Sequence, residues 1–391
     1  MKLLLTNDEL HEVRGGTQVF VMDLAKALQE RGHEVAVYAW LRGSLAEELT
    51  QAGVPVVAVP ADCGFVPDLI HGQHHLATMT ALTAFPTVPV VYHCHGYAPW
   101  QERPPVHPSI ICYLGMSRAM VHWMAAVTGR KSEDIVVLPN SVRLDRFRRV
   151  REPRQTPKRA LLFGNSFIPG EYISRLRSAC RKCGITLEFA GAPFGNATST
   201  PEELLPDFDI VFAVGRSALE AMACGCAVFP FSVLGCGPLL CPEMLETWGG
   251  RNFTVPERGF PVDVNLMTNR IKTFNPSIVS AVTTQIRSNA TFARTCEQLE
   301  TLYQTILQRW LEHPQPTPGE ASRAVSAYLA SLGPYIKGSD QRIATLRLQH
   351  KKSKERLGRL KLRLQVAEDK WNRMQARLPG FLRRWLRCGL E

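Results

Sequence analysis

The feature that most restricts this chain is a rhythm. Short apolar runs alternate with stretches whose apolar residues recur at helical spacing, and the series starts twice. Runs of this kind suit strands buried on both faces of a parallel sheet, with helices as the crossovers between them. The first series opens with a strand over residues 2–5, a loop ending in Arg14-Gly15-Gly16-Thr17, and a helix over 18–31. That helix carries Phe20, Leu24, Ala27 and Leu28 on one face and stops at Gly32. Strands follow at 35–39, 54–59, 69–71, 88–93, 110–116 and 135–138, with helices at 45–51, from 76 on, and at 120–128. Residues 1–145 therefore read as one parallel α/β domain.

Residues 146–158 are polar and punctuated by Pro153 and Pro157, as an interdomain linker would be. The second series then begins with a strand at 159–164. It continues through a helix at 173–182, strands at 186–190 and 210–213, a helix at 217–223 and a strand at 227–231, and ends with a helix at 296–311. This gives a second domain over 159–311. Pro314, Pro316 and Pro318 break the chain, so 312–340 reads as a proline-rich linker with a short helix around 322–332.

The remaining segment, 341–391, holds fifteen Lys/Arg against four Asp/Glu, an excess equal to the whole chain's +11. Residues 1–340 are thus formally neutral, which does not suit a nucleic-acid groove, and no nucleic-acid partner is expected. In the tail, Ile343, Leu346, His350, Ser353, Leu357, Leu360, Leu364, Ala367, Trp371, Met374 and Leu378 alternate at three- and four-residue spacing. That is a heptad seam, which fits a short dimeric coiled coil or a solitary surface helix. After Pro379-Gly380, residues 381–387 mix aromatic, aliphatic and cationic side chains, as a peripheral membrane anchor or a frayed helix end would. The tail is the expected place for a homodimer or peripheral membrane contact.

The opening residues lack the apolar run of a signal peptide, and no apolar stretch reaches membrane-spanning length, so a cytoplasmic protein is expected, peripheral at most to the inner face of a membrane. The eleven cysteines have no disulfide-framework spacing. Cys180-Arg-Lys-Cys183 has no second pair at zinc-finger spacing, and no metal site is expected.

Three places carry candidate chemistry. The Gly15-Gly16 turn leads from strand to helix, where bare backbone N–H groups can approach an anion; a tight turn needing positive φ would use the same residues. His95, in Cys94-His95-Gly96-Tyr97, follows a buried strand and should emerge at its carboxyl end, where it can donate to a sugar hydroxyl or phosphate oxygen. His71, His74, His75 and His93 are weaker candidates. The third is Gly215-Arg-Ser-Ala-Leu-Glu220-Ala-Met-Ala-Cys-Gly225, which sets a carboxylate among small apolar residues. Buried, Glu220 needs hydrogen-bond donors such as paired ribose hydroxyls; exposed, it is an ordinary helical glutamate.

The run Glu220-Ala-Met-Ala-Cys-Gly-Cys-Ala-Val resembles the donor-binding motif of retaining GT-B glycosyltransferases of family four, the glycosyl transferases group 1 superfamily. The resemblance covers roughly residues 1–310. Arg14-Gly-Gly-Thr-Gln-Val-Phe is similar to that family's glycine loop, and 68–75 to its strand-end histidine segment. Ser117-Arg-Ala-Met and the segment 134–147 are similar to the segments that close its acceptor domain, with Asn-Ser-Val where Asn-Gly-Val is usual. The resemblance implies an α/β chain of GT-B type, two facing Rossmann-like domains, here followed by a basic helical or coiled-coil tail. It implies Gly16 at the donor phosphate, His95 beside the donor sugar as the candidate catalytic residue, and Glu220 on the ribose; Gly15 and Arg216 are added to the donor site on their own placement beside Gly16 and Glu220.

Two departures stand out. Phe212 occupies the place of a second acid, eight residues before Glu220, and Gly164-Asn165-Ser-Phe-Ile-Pro-Gly replaces an Arg and a Lys that usually meet the diphosphate. Arg216, Arg143 or Arg146 could supply that charge. Asn165 and Ser217 are further candidate contacts to phosphate or sugar. The expected activity is metal-independent retaining transfer of a sugar from a nucleotide-sugar, needing no cofactor, to a glycan, lipid-linked saccharide or small molecule. A non-catalytic sugar-binding scaffold with an interaction tail, or a hydrolase or epimerase of the same fold, are the other readings.

Overall fold

A computed structural model describes residues 1–12, 15–96, 99–165, 167–312 and 315–376. Arg14, Tyr97, Ser166, Pro314, Leu378, Pro379-Gly380 and the segment 381–387 lie outside them. Residues Met1–Val325 form one compact unit, and the chain from Ser326 on forms a second.

The first series of elements is β1 (Lys2–Leu10), α1 (Gly16–Glu30), β2 (Glu34–Arg42), α2 (Ser44–Gln51), β3 (Val56–Val57), β4 (Leu69–Gly72), α3 (His75–Ala84), β5 (Val90–Cys94), β6 (Ile110–Gly115), α4 (Arg118–Thr128) and β7 (Ile135–Val137). Among the described residues, these seven strands form one sheet in the order β3-β2-β1-β4-β5-β6-β7, with every pairing parallel. The order reverses between β1 and β4, so a crevice opens at their carboxyl ends. β1 runs well past the predicted 2–5: the polar Thr6 stays in the strand because its Oγ1 donates to Gln73 O at 2.9 Å, a tertiary bond that no local pattern shows.

The second series is β8 (Arg159–Phe163), α5 (Glu171–Lys182), β9 (Thr186–Ala190), α6 (Pro201–Leu204), β10 (Ile210–Ala213), α7 (Gly215–Ala223), β11 (Ala227–Ser232), β12 (Gly235–Cys236), α8 (Leu245–Gly249), α9 (Val264–Ile271) and α10 (Pro276–Asn289). Its sheet runs β12-β11-β10-β8-β9, parallel except where β12 turns back on β11. Here the order reverses between β8 and β10. The loop after β8 presses against the loop after β9: Gly191 sits at φ 144, and a Cβ there would fall 2.1 Å from Gly164 O.

The basic segment 146–158 is tied down along the second domain rather than left loose. Arg151 donates to Asp209 Oδ1 at 2.5 Å, and the fully buried Asp209 also accepts the backbone N–H groups of Lys158 and Arg159. A buried carboxylate is stable there because charge and donors both meet it.

Two boundaries are corrected. The helix α11 (Phe292–Glu312), predicted as the end of the second domain, packs Phe292, Cys296, Leu299, Tyr303 and Ile306 into the core of the first, against Leu3, Leu24 and Leu114. Its apolar face is complementary to the first sheet, and Tyr303 shares a 2.6 Å hydrogen bond with His71 Nδ1. The predicted short helix around 322–332 and the basic tail are one helix, α12 (Pro318–Ala376), with Pro334 inside it. Pro318 sits where a missing N–H costs nothing, while Pro334 removes one i to i−4 bond and leaves the neighbouring turns to carry the helix through.

Candidate functional site

Both sheets present their crevices to one place. α1 begins at Gly16 with Gly15 as its N-cap and no side chain capping it. α7 begins at Gly215, again without a side-chain cap. The Gly215 N–H donates to Asn252 O at 3.0 Å, and the other N–H groups of a first turn have no partner within their helix and carry partial positive charge. Gly15 has φ −78, and neither it nor Gly16 is among the positive-φ residues, so the turn reading that required positive φ is overturned. Among the described residues nothing lies within 4 Å of where a Cβ on Gly16 would stand, while a Cβ on Gly15 would fall on the Gln18 side chain.

A cavity of about 110 Å³ lies between these two helix ends, lined by Gly15, Gly16, Asn165, Arg216, Ser217 and Glu220 together with Arg146. The structure thus brings seven of the sequence-selected residues together. A second cavity, about 390 Å³, adjoins it through the shared Val19, Arg146 and Ser199, and holds Arg143, Asp23 and Lys26.

Charge in this region is paired. Arg216 donates through Nε to Glu220 Oε1 at 2.8 Å and through a terminal nitrogen to Asp23 Oδ2 at 2.7 Å, joining α7 of the second domain to α1 of the first. Burial works against the Arg216 charge, but Glu220 and Asp23 outweigh it and hold its pKa above the ordinary value. Glu220 is 6% exposed, and burial keeps its pKa above the usual carboxylate value although Arg216 opposes the shift. The exposed-glutamate reading is therefore excluded. Arg143 pairs with Asp145 and lies 3.6 Å from Asp23; Arg146 pairs with Glu202 at 2.8 Å. Asn165 Oδ1 accepts the backbone N–H of Ala192 at 2.9 Å, bracing the loop after β9.

His95 lines neither cavity. It sits behind the first turns of α1, its ring 4.8 Å from Phe20 and 4.0 Å from His93. Burial lowers its pKa to about 4, so it is a neutral ring at pH 7, and its Nε2 is buried without a hydrogen-bond partner among the described residues. Its backbone N–H donates to Glu102 Oε2 at 2.8 Å. Glu102 in turn faces His74, 3.6 Å away, with Asp8 3.5 Å from the other ring nitrogen. Burial favours the neutral form of His74, but the two carboxylates prevail and raise its pKa to about 9. His71 and His93 are buried and held neutral, His71 at about 3.

Sequence reasoning missed Asp23, Asp8 and Glu102, and named His74 only as a weaker candidate, without the two carboxylates that flank it. Asp23 had a signal: an acid three residues after Phe20 and one before Leu24, on the apolar side of a helix. Glu102 had none, because its role depends on a loop returning to β5. Phe212 is fully buried and stacks on Phe229 at 5.6 Å.

No protein-family model matches this chain, and no curated protein matches it. Solved structures do. The Anabaena protein Alr3699/HepE in complex with UDP aligns over 78% of this chain and all of its own, with a TM-score of 0.59 at 16% identity. A glycosyltransferase from Rickettsia africae ESF-5 aligns over 78% of this chain and 98% of its own, with a TM-score of 0.59 at 13% identity. The lipopolysaccharide outer core galactosyltransferase WaaB, in its apo form, aligns over 77% and 98%, with a TM-score of 0.52 at 12% identity. Likeness at these identities is likeness of fold, and the fold is GT-B: two Rossmann-like α/β domains, followed here by a long helical tail.

Proposed function

We propose that this chain is a glycosyltransferase that takes a sugar from a nucleotide-sugar in the cleft between its two domains and passes it to a hydroxyl acceptor, a glycan, lipid-linked saccharide or small molecule. The observation that carries the reading is the opposition of two uncapped helix N-termini, at Gly15-Gly16 and Gly215-Arg216-Ser217, across one cavity with Arg216 and Arg146 at its wall. Such a place favours a diphosphate. Neighbours of the same fold include a protein crystallised with UDP, and with UDP-glucose.

In this reading the anomeric carbon to phosphate-oxygen bond breaks, and the nucleoside diphosphate leaves with the electron pair. Arg216, Arg146 and the backbone N–H groups of both helix ends stabilise that growing charge without a metal ion. The acceptor hydroxyl oxygen bonds to the anomeric carbon on the face the phosphate leaves, and its proton passes to the departing phosphate oxygen, giving retention. Arg216 occupies Glu220 Oε1, and the ribose hydroxyls take Oε2. His95, neutral, donates from Nε2 to a donor-sugar hydroxyl as the cleft opens around Phe20.

Nucleotide-sugar sites are several times larger than about 110 Å³, so donor entry separates Arg216 from Asp23. Thermal-shift screening of UDP-, GDP-, ADP-, TDP- and CMP-linked sugars tests the site. A base-selective stabilisation lost in Glu220→Ala supports it, and no stabilisation by any donor defeats it. The burial of Phe212 in the core favours a second reading, a GT-B scaffold that binds a donor without turnover. Product formation with a found acceptor separates the two.

A further inference from the structure

From residue 341 to residue 374 every side chain of α12 is exposed. The exposed set includes Ile343, Leu346, Leu357, Leu360, Leu364 and Trp371, each between 41% and 62% accessible. With His350, Ser353, Ala367 and Met374 they fall at the a and d positions of successive heptads, one seam along one helix. A lone helix hides none of that apolar area and gains nothing from the spacing. The seam is built for an occupant.

The chemistry of the occupant is set by the residues beside the seam. The g positions are Arg342, Gln349, Arg356, Arg363 and Lys370, and the e positions are Arg347, Lys354, Lys361 and Glu368. In a two-stranded coil these residues face the e and g positions of the partner. A second copy of this chain, in parallel, would set Arg342 against Arg347 and Arg356 against Lys361, with Arg363 and Glu368 the one opposite-charge contact. In the antiparallel arrangement the g residues would meet one another, basic against basic apart from Gln349. Each like-charge contact costs a few tenths of a kcal/mol, on a seam already weakened by His350 at an a position and Ser353 at a d position. A bilayer fits no better, because Leu348, Leu362 and Val366 are exposed on the outer face of the helix, so it offers no single apolar side to lie in lipid.

We infer that the seam over residues 343–374 takes an acidic amphipathic helix of another protein, apolar at a and d and carrying Asp or Glu at e and g. Attraction across both flanks of the seam supplies what self-association lacks, and the polar His350–Ser353 layer fixes register against a polar residue of the partner. This inference is independent of the reaction proposed for the cleft.

The test uses the full chain and two synthetic heptad peptides with identical Leu and Ile at a and d, one with Glu at every e and g position and one with Lys. Sedimentation at near-physiological salt should show the chain monomeric alone and in a 1:1 complex with the Glu peptide. That complex should weaken at least about tenfold between low and high salt, and the Lys peptide should not bind. Leu357→Ser, Leu360→Ser and Leu364→Ser together should abolish binding while the cleft domains keep their melting temperature. Arg356→Glu, Lys361→Glu and Arg363→Glu together should transfer the preference to the Lys peptide. Self-association lost in the seam variant would overturn the inference. So would binding to vesicles of phosphatidylglycerol and phosphatidylcholine without binding to the Glu peptide, or failure to bind either peptide.

Discussion

Arg216, on the first turn of α7, reaches across the cleft and donates to Asp23 on α1 at 2.7 Å while holding Glu220 at 2.8 Å with its other edge. One guanidinium thus joins two carboxylates that belong to different domains. In the proposed reaction the domains separate to admit a donor, and this bridge has to break when they do. On that proposal a diphosphate entering at the helix ends would compete with Asp23 for the same donor groups.

Asp23→Ala should therefore separate stability from binding. Removing one partner of a buried ion pair costs up to about 3–5 kcal/mol, reduced here because Glu220 still neutralises Arg216. The ligand-free melting temperature should fall, while the stabilisation by the preferred nucleotide-sugar should match or exceed that of the wild type. A variant that loses both equally would show Asp23 to be a donor contact instead of a competitor.

Glu220 gives a sharper test of which part of the donor it meets. With the nucleotide that stabilises the protein most, Glu220→Gln should weaken binding about tenfold or more, since a neutral amide accepts poorly from two hydroxyls and leaves Arg216 undercompensated. The 2′-deoxy form of that nucleotide should lose a similar factor on the wild type and little further on the variant. Calorimetric titration of the four combinations gives the coupling directly.

The glycine pair separates backbone approach from backbone geometry. Gly16 is the first residue of α1, and among the described residues a Cβ at this position would meet nothing within 4 Å, so Gly16→Ala should fold normally and melt no earlier than the wild type. If phosphate lies against that backbone, the methyl group blocks it. Nucleotide-induced stabilisation should then drop sharply in a protein that melts no earlier than the wild type.

Much of this site was legible because its parts are local. A strand, a double glycine and an amphipathic helix announce a bare helix end at Gly16, and a carboxylate among alanines in a short helix announces Glu220. What was not legible depends on chain segments far apart in sequence. The helix Phe292–Glu312 looked like the end of the second domain because nothing in its own pattern says which sheet its apolar face will meet. Asp23 showed only as an acid on an apolar helix face, and nothing local names its partners, which lie at Arg143 and Arg216. The tail broke differently: Pro334 and two nearby glycines lower local helix propensity, yet the turns on both sides carry one helix from Pro318 to Ala376.

The histidine cluster makes stability depend on pH with opposite signs on either side of neutrality. His74 binds its proton more tightly in the folded chain, at about 9, than at its ordinary 6.5. Its contribution is therefore complete below about pH 6.5, shrinks as pH rises, and is gone above about 9; at most it is about 3 kcal/mol. His71, lowered to about 3, and His75 and His95, lowered to about 4, act in reverse: their contribution is complete above 6.5 and is lost as pH falls toward 4. Melting temperature measured from pH 4 to pH 10 should thus peak near neutrality and fall on both sides. His74→Gln should be less stable than the wild type at pH 6.5, because Asp8 and Glu102 then face no cation. It should also lose the decline between pH 7 and 9 while keeping the acid-side decline. A variant that retains the alkaline decline would place its source outside the Asp8, His74 and Glu102 set.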